Sequence, residues 1–214
     1  MGLIEQRETD VLFCWSLCKS KALDMRPDKA LVCLEQKEVD YEIVPVNMVA
    51  GADKQQPFLS LNPFGKIPAY VEDDATVLFE RAITDHIASR YKEKGTDLLG
   101  PELGGIAIVG LWMEVEAHQF DPPALVLILE SVMKPTFGKV PDEALVRAQC
   151  EKLNKVFDVY EERLSKCKYL AGDYFSLADL HHLPCLHYIM SSPHSGLITS
   201  RQHVGHTRRR SLSP

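Results

Sequence analysis

The sequence predicts an α/β amino-terminal part followed by an all-helical part. Three observations carry this reading. Strand and helix signals alternate through residues 1–95, and beyond them only helical spacing recurs. Two short apolar runs, Ala69-Tyr70-Val71 and Val77-Leu78-Phe79, flank the acidic turn Glu72-Asp73-Asp74, so they pair as an antiparallel hairpin. Apolar residues then repeat at helical spacing over Ile106 to Phe120 and Asp142 to Lys166.

In chain order, Val11-Leu12-Phe13-Cys14-Trp15 is a compact apolar run that suits a buried strand. Lys29 to Lys37 sets Ala30, Leu31, Cys33 and Leu34 on one helical face, and Tyr41 to Val46 is a second strand. The hairpin follows, and Arg81 to Lys94 reads as a helix with Ile83, Ile87 and Tyr91 on one side. The order βαβ, then ββα, is that of a thioredoxin-like domain. Asp97 to Leu103 is a link. In the helical part, Ile108, Leu111, Trp112, Val115 and Phe120 form one apolar face, and Asp121-Pro122-Pro123 is predicted to break or kink the helix. Ala124 to Val132 and Asp142 to Lys166 are further helices. Ser176-Leu177-Ala178-Asp179 is a variant capping box, with Asp in place of the longer Glu. The predicted domains are 1–95 and 96–204, and the polar, basic stretch 205–214 is predicted to be disordered.

The 214 residues carry a formal net charge of −6, which excludes a nucleic-acid partner bound through a basic surface. No apolar run reaches the ~18 residues of a membrane span, and the start lacks a secretory pattern, so a cytoplasmic protein without a membrane partner is expected. The six cysteines show no disulfide framework, which fits free thiols in a reducing compartment. His181, His182, Cys185 and His187 resemble a metal cluster in composition only; their spacing matches no zinc pattern, and no metal is expected.

The most specific stretch is Leu61-Asn62-Pro63-Phe64-Gly65-Lys66-Ile67-Pro68-Ala69, which sets a proline directly before a strand. Proline fixes φ and lacks a donor, so at a strand's first residue it can hold a cis bond and leave the preceding residue's backbone to a peptide-like ligand. With Leu78-Phe79-Glu80 downstream, this run resembles the glutathione-binding half of plant phi-class glutathione transferases. The helical part resembles the same family through Met113-Glu114-Val115-Glu116-Ala117-His118-Gln119-Phe120-Asp121-Pro122 and through Lys168 to Asp173 with Ser176 to Leu180.

The resemblance implies the glutathione transferase fold and conjugation of glutathione to hydrophobic electrophilic small molecules, with hydroperoxide reduction as a further activity. Glutathione would be a co-substrate, no cofactor would be needed, and the protein would be a homodimer. By motif, Ile67 and Pro68 would meet the cysteinyl unit, Lys54 and Lys66 the glycyl carboxylate, and Glu80 and Arg81 the γ-glutamyl end. Trp15, Met113, His118 and Phe120 would line the electrophile pocket.

The chain departs from the family pattern in three places. The position of the catalytic serine carries Asp24, so the hydroxyl that activates the thiol would come from Ser16, directly after the strand, or from Ser20, deeper in the loop. The family's Phe-Glu-Ser-Arg-Ala-Ile is here Phe79-Glu80-Arg81-Ala82-Ile83; aligned without gaps, Glu80 takes the serine's place. The family continues into a Trp-rich helix where this chain turns arginine-rich, as after a changed reading frame or splice. The first two departures raise an alternative, a non-catalytic carrier of glutathione or flavonoid-type ligands. The third raises a weakly active variant.

Overall fold

The computed structural model describes residues 10–15, 29–48, 50–72 and 75–211. They fall into two compact units, Met1–Asp97 and Leu98–Pro214.

In the first unit, β1 (Asp10–Trp15) lies between β2 (Tyr41–Val46), parallel to it, and β3 (Ala69–Glu72), antiparallel to it. β4 (Ala75–Leu78) closes the hairpin, giving the order β2-β1-β3-β4. The parallel pair needs a crossover, and α1 (Lys29–Gln36) lies on it. Pro45 is tolerated in β2 because β2 is an edge strand. Side chains alternate with period two. Val11 and Phe13 join Val46, Phe58, Leu61, Ala69 and Val71 in one cluster, while the register partners Leu12 and Tyr70 are fully buried on the other face. A 3₁₀ turn (Ala52–Lys54) and α2 (Phe58–Leu61) lead into β3.

α1 packs against α3 (Glu80–Arg90), burying Ala30, Cys33, Leu34, Ile83 and Ile87 completely. Each such Leu or Ile stabilises the unit by roughly 1.5–3 kcal/mol. Burial pushes the Cys33 thiol up to about 12, which makes it an inert core group. α3 stops at Arg90, short of the predicted Lys94. The reason is Lys37, whose buried ammonium donates to the carbonyls of Lys92 (3.3 Å) and Thr96 (2.8 Å) and so draws this segment out of helical register.

In the second unit, α4 (Leu103–Val115), α5 (Asp121–Ile128) and α6 (Lys134–Thr136) form one continuous run, joined by π-turns at Glu116–Phe120 and Leu129–Met133. Of the break or kink predicted at Asp121-Pro122-Pro123, the break does not occur. Each π-turn ends one residue short of a proline pair or proline, Asp121 preceding Pro122-Pro123 and Lys134 preceding Pro135. Widening the ring there relieves the clash between a proline and the carbonyl one turn earlier, so the helix continues.

α7 (Glu143–Leu164) is capped by Asp142, whose carboxylate accepts the Ala144 and Leu145 amides, both at 3.0 Å. Its Val146, Leu153, Phe157, Tyr160 and Leu164 face inward at helical spacing. α8 (Leu177–Leu180), α9 (Leu183–Met190) and α10 (Gly196–Thr199) follow. No helix among the described residues is long and apolar enough to cross a membrane.

Of the stretch 205–214 predicted to be disordered, residues 205–211 instead lie in α11 (Gln202–Ser211), and 212–214 lie outside the described residues. The signal missed was a distant acid. Glu161 of α7 accepts the His203 amide (3.0 Å), the Val204 amide (3.0 Å) and the His203 ring Nδ1 (2.8 Å), capping α11 from outside its own sequence. Burial pushes the Glu161 carboxyl up, but the His203 and Val204 donors outweigh it and hold the group below the ordinary range. A depressed native value means that this contribution is present above the unfolded carboxyl value and is lost as pH falls through the native one. Glu161→Ala is expected to speed amide exchange in α11 at neutral pH while leaving the middle of α7 protected. Unchanged α11 exchange would contradict this cap.

Candidate functional site

The loop from Asp53 to Ala69 is built around two residues. Asn62 is fully buried; its Nδ2 donates to the Lys66 carbonyl (2.6 Å), its Oδ1 accepts the Phe64 amide (3.0 Å), and its carbonyl accepts the Gly65 amide (2.9 Å). Gly65 has φ 55°, and a Cβ there would lie 2.6 Å from the Asp53 carbonyl oxygen. Glycine is therefore required at this approach. The Lys54 ammonium donates to the Gly65 carbonyl and pairs with the buried Asp53 carboxylate at 3.1 Å. Lys54 and Lys66 are exposed. Ile67 is half-buried against the core cluster and lies just beyond the β1–β3 ladder, whose register ends at Ala69. The Ile67–Pro68 bond is cis.

The start of α3 lies beside this loop, since the Phe64 and Phe79 rings are 6.0 Å apart. Phe79 is left-handed (φ 69°, ψ 127°), and Glu80 opens the helix. The Glu80 carboxylate accepts the Lys29 amide at the start of α1 (3.0 Å) and stands 3.6 Å from the Lys29 ammonium. Arg81 is half-buried. The loop group and the α3 group are thus neighbours, and Lys29 enters as a residue that sequence reasoning missed. Its signal was a lysine beside the buried Ala30, Cys33 and Leu34 of α1, where a cation needs a nearby acid.

A second feature missed in the sequence is a polar network at the other end of β3 and α3. The hydroxyls of Tyr70 and Tyr91 each lie 2.6 Å from Asp10 Oδ2, and Tyr91 also meets Glu72 Oε1 at 2.8 Å. His86 Nε2 stands 2.6 Å from Glu72 Oε2, and Arg90 Nε is 3.3 Å from Oε1. Burial raises the Glu72 carboxyl, but His86, Tyr91 and Arg90 outweigh it, leaving the group below the ordinary range. The network ties the far end of α3 to the sheet that carries the loop.

The expected pocket residues are not alike. Phe120 is corrected: it is wholly buried in a cluster with Phe157, Tyr160 and His182, because the π-turn swings it into the core. His118 is exposed and pairs with Glu114 at 3.0 Å, and Met113 is half-buried. The Trp15 side chain, Ser16, Ser20 and Asp24 lie outside the described residues. Of the histidine-rich stretch, His182 is held by the Tyr160 hydroxyl (2.8 Å) and the Ala178 carbonyl (2.7 Å). Among the described residues, no group of three or more His, Cys, Asp or Glu side chains is arranged to hold a metal.

Residues 20–89 match the family described as "Glutathione S-transferase, N-terminal domain", and residues 120–200 match "Glutathione S-transferase, C-terminal domain". The chain is 49% identical over 177 residues to glutathione S-transferase F13 of Arabidopsis thaliana, covering 82% of this chain and 81% of that one. Its fold is similar to glutathione transferase F7 from Populus trichocarpa, with TM-score 0.88, 40% identity, and 96% and 95% of the two chains covered. It is also similar to maize glutathione S-transferase I in complex with an atrazine glutathione conjugate, with TM-score 0.82, 33% identity, and 93% and 91% covered. With a sheet unit built around the Asn62–Gly65 loop, a helical unit capped at Ser176, and both halves matched, the chain belongs to the glutathione S-transferase family, in its plant phi class.

Proposed function

We propose that this chain conjugates reduced glutathione to hydrophobic electrophiles, with organic hydroperoxide reduction as a secondary activity. The single observation that carries the reading is the Asn62–Gly65 scaffold, which fixes Ile67 at the end of the β1–β3 ladder between two exposed lysines. A peptide-like ligand can add its backbone to a strand end in this way. Ile67 and Pro68 would receive the cysteinyl unit, Lys54 and Lys66 the glycyl carboxylate, and Arg81, next to Glu80, the γ-glutamyl end. The relatives named as transferases favour this enzyme over the carrier reading.

The chemistry needs a thiolate, because the thiol is a poor nucleophile. A hydroxyl donor stabilises the developing sulfur charge electrostatically, and holding the electrophile beside it supplies much of the remaining acceleration. We assign the hydroxyl to Ser16. Ser16→Ala is expected to lower kcat roughly a hundredfold while glutathione affinity stays nearly constant. Conjugation of a chloro-nitrobenzene and calorimetric titration with glutathione read the two quantities separately. A silent Ser16→Ala with an impaired Ser20→Ala would move the role to Ser20.

Two further parts of the reading concern setting. Cys33, Cys150 and Cys167 carry thiols outside any disulfide, which suits a reducing cytoplasm. α4 is apolar nearly all round, yet Leu103, Ile106, Ile108 and Leu111 stand exposed, which suits coverage by a second copy. Light scattering is expected to give twice the 24.1 kDa chain mass, and a monomer at micromolar concentration would refute the homodimer.

A further inference from the structure

We propose that Glu80 is an internal competitor for the anionic γ-glutamyl end of glutathione, so that the chain lowers its own affinity for the tripeptide. The proposal rests on the glutathione reading above. Two helices, α1 and α3, meet at this one carboxylate. Glu80 is the first residue of α3, and its oxygens take the Lys29 amide of α1 at 3.0 Å and approach the Lys29 ammonium at 3.6 Å. A helix start favours an anion, and a buried ammonium requires one. The Lys29 side chain is only 5% exposed, so its charge cannot be met by water, whereas Glu80 is 31% exposed and borders the solvent side of the pair. The left-handed turn at Phe79 delivers the acid to this position, and the Phe64–Phe79 ring contact places it next to the loop that carries Ile67.

The Lys29 amide and ammonium, which would otherwise attract a ligand carboxylate, are therefore already engaged by Glu80. An incoming carboxylate meets a neutralised pair whose exposed member has its own sign. An acid that served the ligand's ammonium instead would have its oxygens turned to the ligand rather than to Lys29. The two roles predict opposite signs for one substitution.

The test is calorimetric titration of the full chain with glutathione, for the wild type, Glu80→Gln and Lys29→Met, with a thermal melt of each. Glu80→Gln keeps the shape and an acceptor for the Lys29 amide but removes the charge; it is expected to bind glutathione roughly three- to tenfold more tightly. Lys29→Met leaves the Glu80 charge without its ammonium partner and is expected to bind more weakly. A purely structural role would weaken binding in both variants, so opposite signs are the signature. Equal or weaker binding by Glu80→Gln, with a folded protein by thermal melt, overturns the proposal and returns the acid to the ligand's ammonium. If the wild type and both variants fail to bind glutathione at millimolar concentration, the glutathione reading itself falls, and the proposal with it.

Discussion

Asp179→Ala is expected to cost the fold about 3–5 kcal/mol, enough to leave little soluble protein at growth temperature. The carboxylate is 4% exposed and accepts the Leu170 amide at 2.9 Å and both the amide and hydroxyl of Ser176 at 3.2 Å. One side chain thus closes the capping box of α8 and pins the segment that returns from α7. Alanine would leave two buried amides without an acceptor, each costing about 1–3 kcal/mol. Asp179→Asn keeps an acceptor and should lose less. Chemical denaturation of the three proteins measures the order; an alanine variant within 1 kcal/mol of wild type, about the worth of a single net hydrogen bond, would refute this account. The acid also has a pH signature. Burial pushes its carboxyl up to about 7 against the opposing Leu170 and Ser176 donors. A raised native value favours the folded state most below the ordinary 3.8 and loses that contribution as pH rises through about 7. Glu161, whose value is depressed, runs the other way.

The second large effect is at Gly65. Gly65→Ala adds a Cβ at 2.6 Å from a backbone oxygen and places an L-residue at φ 55°. The obstacle is main chain, which cannot swing aside as a long side chain can. The loop must shift, taking Lys54, Lys66 and Ile67 with it. Glutathione affinity is expected to fall at least tenfold, together with a stability loss of about 2 kcal/mol. Gly110→Ala is the control. Gly110 lies inside α4, and a Cβ added there would meet nothing within 4 Å, so the substitution should be neutral or stabilise the helix by up to about 1 kcal/mol. Titration of both variants with glutathione decides the matter, and normal affinity in Gly65→Ala would show that the loop's position is not what binds the ligand.

The order of elements along the chain and the two-part division were legible because strand and helix patterns leave different marks on short windows. β2 and α1 sit where Tyr41 to Val46 and Lys29 to Lys37 predict them. What could not be read were contacts between residues far apart in the chain. Asp10 meets Tyr70 and Tyr91, and Glu161 meets His203, across separations that no local pattern encodes. Phe120 shows a different limit: apolar spacing marks a side chain as inward but does not separate a pocket wall from a packed core. At Pro122-Pro123 the break, one half of the expectation, fails because a single wide turn is a cheaper solution within a packed helix. For the candidate site, the Asn62–Ala69 motif located the loop, while the partner of Glu80 emerged only when α1 and α3 were brought together.

The two π-turns have a consequence for the phase of the long helix. Each inserts one residue without adding a full turn, which rotates everything downstream by about 100° about the axis. The stripe of α4 therefore does not run on into α5 as a single helical wheel would draw it. Deleting one residue from Glu116–Phe120 would restore ordinary α geometry locally and bring Pro122 back against a carbonyl. The deleted residue is the one the wide turn absorbs, so Ala124, Leu127 and Ile128 would keep their buried face. The wide turn thus holds the register of α5: straightening it without removing a residue would turn that buried face toward water, and a one-residue gap in an alignment belongs at this turn.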